Sequence, residues 1–221
     1  MGVLLRDIME VHMRLQIAVD IADTDRILQI AGQIHDVIDI FEVGTPVIMN
    51  EGMAPVRALK AAFPGMTVLA DSKIIDGGGI ECEDICRAGA DIVTVIALSD
   101  DATILEVTET AHRYGRKVMA DLICVQDIPG RSRQLISMGV DIIAVHTGVD
   151  LQRSGRTPLS DLKELILAVE PDRCAVAGGI RMETLSDYTA LNPGIIIAGS
   201  ALYQAPDIRS AVIEMKKELV P

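Results

Sequence analysis

Eight short runs rich in β-branched residues recur along this 221-residue chain, each followed by a turn and an amphipathic stretch. They are RLQIAVD (14–20), DIFEVG (39–44), TVLADSK (67–73), DIVTVIA (91–97), KVMADLI (117–123), DIIAVHT (141–147), RCAVAGG (173–179) and GIIIAGS (194–200). Between them, TDRILQIAGQIH, APVRALKAAF, ATILEVTETAHRYG and PLSDLKELILAV carry apolar residues at three- and four-residue steps, the period of a helix with one buried face. Asp100 and Asp101 offer N-caps to the third of these helices, and Gly115 stands where its C-cap is expected. Most of the strand runs are continuously apolar. Parallel strands covered on both faces read that way. An α/β chain with this alternation over roughly 200 residues is expected to close into a (β/α)8 TIM barrel. An open doubly wound sheet is the competitor, but it usually needs fewer strands at this length.

No linker or shift in composition divides the chain, so residues 13–221 are expected to form a single barrel domain preceded by a short leader, 1–12. Aromatic residues make up only 2% of the sequence against 49% hydrophobic overall, so the core must be aliphatic. A net charge of −12 works against nucleic acid and against an anionic membrane surface. No apolar run approaches the roughly 20 residues of a membrane-spanning helix. The N-terminal stretch contains Asp7 and Glu10 and lacks the pattern of a secretory signal. Cys82 and Cys86, one helical turn apart, do not make a zinc pattern. Reduced thiols and a cytoplasmic location are the expectation.

Catalytic groups of such barrels come from the C-terminal ends of strands and the loops that follow. Here those ends carry Asp20, Glu42, Asp71 with Lys73, Asp121 and His146. Any one of them could be a charge at the point where a strand surfaces, but together they converge on one rim. Strand alternation turns Asp71 and Lys73 to the same side. An ion pair explains those two but leaves out Glu42 on the neighbouring strand. Two adjacent carboxylates repel unless a cation lies between them, so Glu42 and Asp71 are candidate ligands for Mg²⁺, with Mn²⁺ as the substitute. The last two strands end in glycine instead: Gly178 and Gly179, then Gly199 and Ser200. Exposed backbone N–H groups there would suit a phosphate, which an acidic protein can bind through amides. Tight βα turns would need the same glycines.

The stretch DSKIID (71–76) fits the Asp-x-Lys-x-x-Asp motif, and with LQIAVD, FEVGTP, EGMAPVRALK, AGADIVTV, VHTGVDLQRSGRTPLSDL and VAGGI it resembles one group of the orotidine-monophosphate decarboxylase superfamily. That group comprises 3-hexulose-6-phosphate synthases and 3-keto-L-gulonate-6-phosphate decarboxylases, and the resemblance spans about residues 13 to 205. The decarboxylases typically have Glu-Leu-Thr-Gly after the fifth strand and His-Arg-Ser-Arg after the sixth. This chain has Asp121-Leu122-Ile123-Cys124 and His146-Thr147-Gly148-Val149, and both departures favour the synthase. KIID (73–76) is the more decarboxylase-like feature.

The resemblance implies a metal-dependent carbon–carbon lyase that condenses D-ribulose 5-phosphate with formaldehyde, reversibly, through a Mg²⁺-stabilised 1,2-enediolate. It also implies that Lys73 stabilises developing negative charge, that His146 transfers the proton, and that Asp20 and Asp121 bind hydroxyls or tune Lys73. Asp76, just before Gly77-Gly78-Gly79, would reach into a partner's site across a homodimer interface; a helix N-cap is the alternative. Arg153 and Arg156, in LQRSGRTP, are candidate phosphate contacts. The rival readings are the decarboxylase and, from a different class, a non-catalytic sugar-phosphate-binding protein.

Overall fold

The structure, a computed structural model, describes residues 12–20 and 23–219, so all but the last residue of the expected leader lies outside the described residues. Eight strands occur in chain order: β1 (Arg14–Val19), β2 (Ile40–Val43), β3 (Val68–Ile74), β4 (Ile92–Ile96), β5 (Lys117–Asp121), β6 (Ile142–His146), β7 (Cys174–Ala177) and β8 (Ile195–Ala198). Each pairs in parallel with the next, and β8 returns to β1 from Arg14↔Ile195 to Ile17↔Ala198. The sheet is therefore a closed barrel with no free edge. Every expected strand is present. The tail of the seventh leaves the sheet because Gly178 (φ 129°) and Gly179 (φ 70°) abandon the extended region, and the eighth ends at Ala198, ahead of the helical turn Ser200–Tyr203.

Continuous apolar runs arise here because each strand buries both faces. Ala18, Ile40, Leu69, Ile92, Met119 and Ile142 belong to a cluster that fills the barrel interior. Leu15, Ile17, Phe41 and Val68 belong to a larger one packed beneath the helices. The helix Thr24–Ile34 shows how the outer ring is laid down. Asp23 accepts the N–H of Arg26 at its start, and Ile27, Ile30, Ala31 and Ile34 turn one stripe inward. Burying each such isoleucine contributes roughly 1.5–3 kcal/mol. The helix Asp101–Arg113 starts from Asp100 without a side-chain cap, and Gly115 (φ 67°) closes its end.

A repeated unit organises the opposite end of the barrel. The segments DIFEV, DIVTV and DIIAV begin with Asp39, Asp91 and Asp141, each placed just before an even-numbered strand. Their carboxylates accept the N–H of Leu15 (2.8 Å), Val68 (2.9 Å) and Val118 (2.8 Å) on the preceding strands. Each also meets a basic side chain: Lys216 at 2.7 Å, Lys60 at 2.8 Å and His112 at 2.9 Å. Three residues on, the same register places Glu42, Thr94 and Ala144. Before β8 the unit stops at Gly194, where a Cβ would come within 2.2 Å of the Asp172 carbonyl oxygen.

Strand β3 is the irregular one. Its register against β4 runs Ala70↔Val93 and then Ile74↔Val95, so extra residues bulge out between the paired positions. Within the bulge Lys73 adopts φ 47°, which a side-chain-bearing residue seldom does without support.

Candidate active site

The bulge carries Lys73 over the mouth of the barrel, where its ammonium pairs with Asp71 and lies 3.6 Å from Asp121 Oδ2. Asp71 and Lys73 meet, as alternation had suggested. They do so, however, because the strand breaks its alternation and Lys73 turns into the left-handed region. Asp71 is gripped from both neighbouring strands. Thr45, at the start of the helix after β2, donates to it at 2.7 Å, and Thr94 of β4 donates to Oδ1 at 3.1 Å.

Asp121 and His146 end adjacent strands. Asp121 Oδ1 accepts the N–H of Ile123 at 2.8 Å, and Oδ2 is 2.8 Å from His146 Nδ1. An ionised carboxylate only accepts, so Nδ1 carries the proton and Nε2 is the nitrogen left for chemistry. On β1, Gln16 is fully buried and donates through Nε2 to Glu42 Oε2. Its Oε1 has no hydrogen-bond partner among the described residues.

Burial and mutual charge set the protonation states. Burial, and then Asp71, push the Glu42 carboxyl well above the ordinary range, with Gln16 opposing. Burial also raises Asp20, and Asp71 adds to it while Lys73 and His146 pull the other way. For Lys73, burial works against the ammonium, but Asp71 and Asp121 outweigh it and the pKa rises. His146 follows the same logic: burial lowers it, and the bond to Asp121 more than restores it, so the net shift is upward. Asp121 is held below the usual carboxylate range because its bond to His146, followed by the charges of His146 and Lys73, overcomes burial. Six carboxylate, ammonium and imidazole groups thus share one electrostatic field.

The phosphate candidates lie on the same rim. A Cβ at Gly178 would stand 2.8 Å from the Thr147 carbonyl oxygen, so the close approach of the β6 and β7 ends requires glycine there. Gly199 precedes a single helical turn, Ser200–Tyr203. Asp76 is exposed, and its Oδ1 accepts the N–H of Gly77 at 2.8 Å. It does not cap the following helix, Gly78–Ala88, whose N-cap is Gly77 with no side-chain bond. Arg153 lies 3.5 Å from Asp150, and Arg156 lies 3.4 Å from Asp161.

Three polar residues of this site escaped the sequence reading. Gln16 was visible as an amide inside an otherwise apolar strand. Thr94 was visible only through the repeated unit, where it stands at the position of Glu42. Thr45 had no signal, since a threonine after Gly44 reads as an ordinary helix start.

As for a metal, no three His, Cys, Asp or Glu side chains gather in chelating geometry among the described residues. Glu42 and Asp71 nevertheless suit a hard cation. They are buried oxygen donors, the charge of Asp71 disfavours that of Glu42, and the orphaned carbonyl oxygen of Gln16 belongs to the amide bonded to Glu42. Mg²⁺ is commonly held by one or two carboxylates, with water and substrate completing its shell.

Carboxylates, a lysine and a histidine thus gather at the C-terminal mouth of a (β/α)8 barrel, the face where barrel enzymes carry their active sites. The chain belongs to the orotidine 5'-phosphate decarboxylase / HUMPS family, whose profile matches residues 13–215. It is 38% identical over 208 residues to a 3-hexulose-6-phosphate synthase of Bacillus subtilis (strain 168), covering 94% of this chain and 99% of the relative. The crystal structure of 3-hexulose-6-phosphate synthase from Salmonella typhimurium superposes with a TM-score of 0.90 at 40% identity, covering 94% of this chain and 98% of that one. A 3-keto-L-gulonate-6-phosphate decarboxylase from Vibrio cholerae O1 superposes with a TM-score of 0.81 at 25% identity, over 95% and 100% of the two chains.

Proposed function

We propose that this protein is an aldolase of the 3-hexulose-6-phosphate synthase kind, a carbon–carbon lyase that joins D-ribulose 5-phosphate to formaldehyde and reverses the reaction. The observation that carries this reading is the cluster Asp71–Lys73–Asp121–His146 in a chain 38–40% identical, over nearly its whole length, to proteins named for that activity. The two decarboxylase-type departures, Asp121-Leu122-Ile123-Cys124 and Val149 after His146, favour the aldolase over 3-keto-L-gulonate-6-phosphate decarboxylation.

Each step follows from a residue. Backbone N–H groups near Gly178, Gly179, Gly199 and Ser200 hold the phosphate, so binding an anion costs little in a chain of net charge −12. His146 Nε2 takes the proton from C1 of the ribulose, and Asp121 stabilises the imidazolium that forms. Lys73 faces the oxygens on which negative charge accumulates, and Asp71 and Asp121 keep it protonated for that task. The carbon of the resulting enediolate attacks formaldehyde. A new C–C bond forms, and the former carbonyl oxygen of formaldehyde takes up a proton. Asp20 binds substrate hydroxyls. Mg²⁺ or Mn²⁺ held by Glu42 and Asp71 supplies Lewis-acid stabilisation of that charge.

Asp76 and a homodimer complete the reading. Asp76 faces solvent among apolar side chains that are themselves open to it, Ile75 at 64%, Ile80 at 76% and Leu98 at 56%. A second copy covering this surface would bury them and receive Asp76 into its own site. Four free thiols and the absence of any helix among the described residues long and apolar enough to cross a membrane accord with work in the cytoplasm.

The test is direct. The purified protein is supplied with ribulose 5-phosphate, formaldehyde and Mg²⁺, and separately with 3-keto-L-gulonate 6-phosphate, each with and without EDTA. Hexulose 6-phosphate formation that EDTA abolishes is expected. Faster CO₂ release from the second substrate would reverse the assignment, and turnover insensitive to EDTA would remove the metal from it.

A further inference from the structure

Thr94 is 2% exposed, sits in the middle of β4 and uses its hydroxyl twice. Oγ1 accepts the backbone N–H of Lys73 at 2.9 Å and donates to Asp71 Oδ1 at 3.1 Å. Those two partners flank Ser72 in the bulge where the β3–β4 register breaks. A regular ladder would give the Lys73 amide a carbonyl partner, and the bulge takes that partner away. A part-buried amide left without a partner is destabilising, and a side-chain-bearing residue at φ 47° adds strain that surrounding contacts must hold in place. Among the described residues, the Thr94 side chain is the group that meets the Lys73 amide.

The geometry points to Thr94 as a positioning residue: its single hydroxyl fixes the left-handed turn at Lys73 and the rotamer of Asp71 together, and so delivers the ammonium to the barrel mouth. Three observations favour this over ordinary strand packing. Neighbouring β4 side chains Ile92, Val93 and Val95 are apolar and buried, so packing alone calls for an aliphatic residue at 94. Thr94 also occupies the register position of Glu42 in the repeated unit, a position that faces the barrel interior and not the helices. Thr45 grips Asp71 as well, through Oδ2 and the backbone carbonyl oxygen, but has no hydrogen bond to the Lys73 backbone. Among the described residues, Thr94 is the one side chain that bonds both.

The inference deepens the aldolase reading and rests on it for its kinetic arm. The whole protein is compared with Thr94→Val, which keeps the shape and removes the hydroxyl, with Thr94→Ser, which restores it, and with Thr45→Val. Two quantities are read: exchange of the Lys73 amide hydrogen, and kcat and KM for ribulose 5-phosphate with formaldehyde. In the wild type the Lys73 amide should be as protected as the ladder amides of β4. Thr94→Val should speed its exchange, and lower kcat by about 10²-fold with KM changed less than about threefold, the pattern of a misplaced group. Thr94→Ser should recover both readouts, and Thr45→Val should leave the amide protected. A freely exchanging Lys73 amide in the wild type would overturn the inference without any variant having to fold. So would Thr94→Val turning over at the wild-type rate, or Thr94→Ser behaving like Thr94→Val. A wild type that does not act on ribulose 5-phosphate would refute the aldolase instead, while the exchange measurement still decides Thr94.

Discussion

His146 Nδ1 stands 2.8 Å from Asp121 Oδ2, and each residue is the last of its strand, β6 and β5 respectively. The pair resolves two problems. Burial would discharge an isolated imidazole and an isolated carboxylate alike, and side by side each keeps the other ionisable. The bond also fixes the tautomer, so that the basic nitrogen points away from Asp121.

The pH profile should report this pair. A base must be unprotonated, so kcat/KM is expected to rise with pH through the elevated His146 pKa. Asp121→Asn removes the carboxylate that raises it, which should move that limb to lower pH while cutting kcat by about 10²–10⁴-fold. Stability gives the signs independently. The raised histidine contributes stability that is full below its unfolded pKa of about 6.5 and is lost as pH rises through the folded value. The depressed Asp121 contributes stability above its unfolded pKa of about 3.9, lost as pH falls through the folded value. The stability gap between wild type and Asp121→Asn should therefore be widest between those two unfolded values and narrow on either side. Unfolding in urea across pH, with equal gaps at all pH values, would contradict the pairing.

Glu42 should show function set against stability. Its carboxyl is raised by burial and by Asp71, so ionising it costs more in the folded chain than in the unfolded one. Glu42→Gln removes the charge and keeps the shape. With EDTA present at neutral pH it should gain about 1 kcal/mol, roughly 2–4 °C in Tm for a chain of this size. Activity should fall below detection. A Tm lower than that of the wild type would mean that the buried charge is better compensated than its neighbours indicate.

Asp76 is best tested by complementation. Lys73→Ala and Asp76→Ala proteins, each inactive alone, are unfolded together, refolded and assayed. If Asp76 acts across an isologous interface, half the dimers are hybrids with one intact site, and roughly a quarter of wild-type activity should return. No recovery in a mixture shown to contain hybrids would confine Asp76 to its own subunit.

Much of this protein could be read from the chain alone. The eight apolar runs, their spacing and the helical period between them fix a parallel barrel, because a strand with both faces buried has no room for polar residues except where it surfaces. That is also why Asp20, Glu42, Asp71, Asp121 and His146 were legible as a group. They stand at or next to strand ends, and the closed barrel gathers strand ends whatever the loops do. The bulge in β3 was not legible. Alternation placed Lys73 beside Asp71 for a reason that does not operate, since nothing local in Asp71-Ser72-Lys73 announces a left-handed lysine. The device that supports it, the Thr94 hydroxyl, lies 21 residues away on another strand. The helix start at Gly77 shows the same limit: Asp76 reads as a cap, yet its side chain folds back on the next amide. Periodicity is a property of neighbouring residues, and it determined the architecture. Hydrogen bonds between side chains and distant backbone satisfy groups that the sequence separates, and only the folded barrel could decide which groups those were.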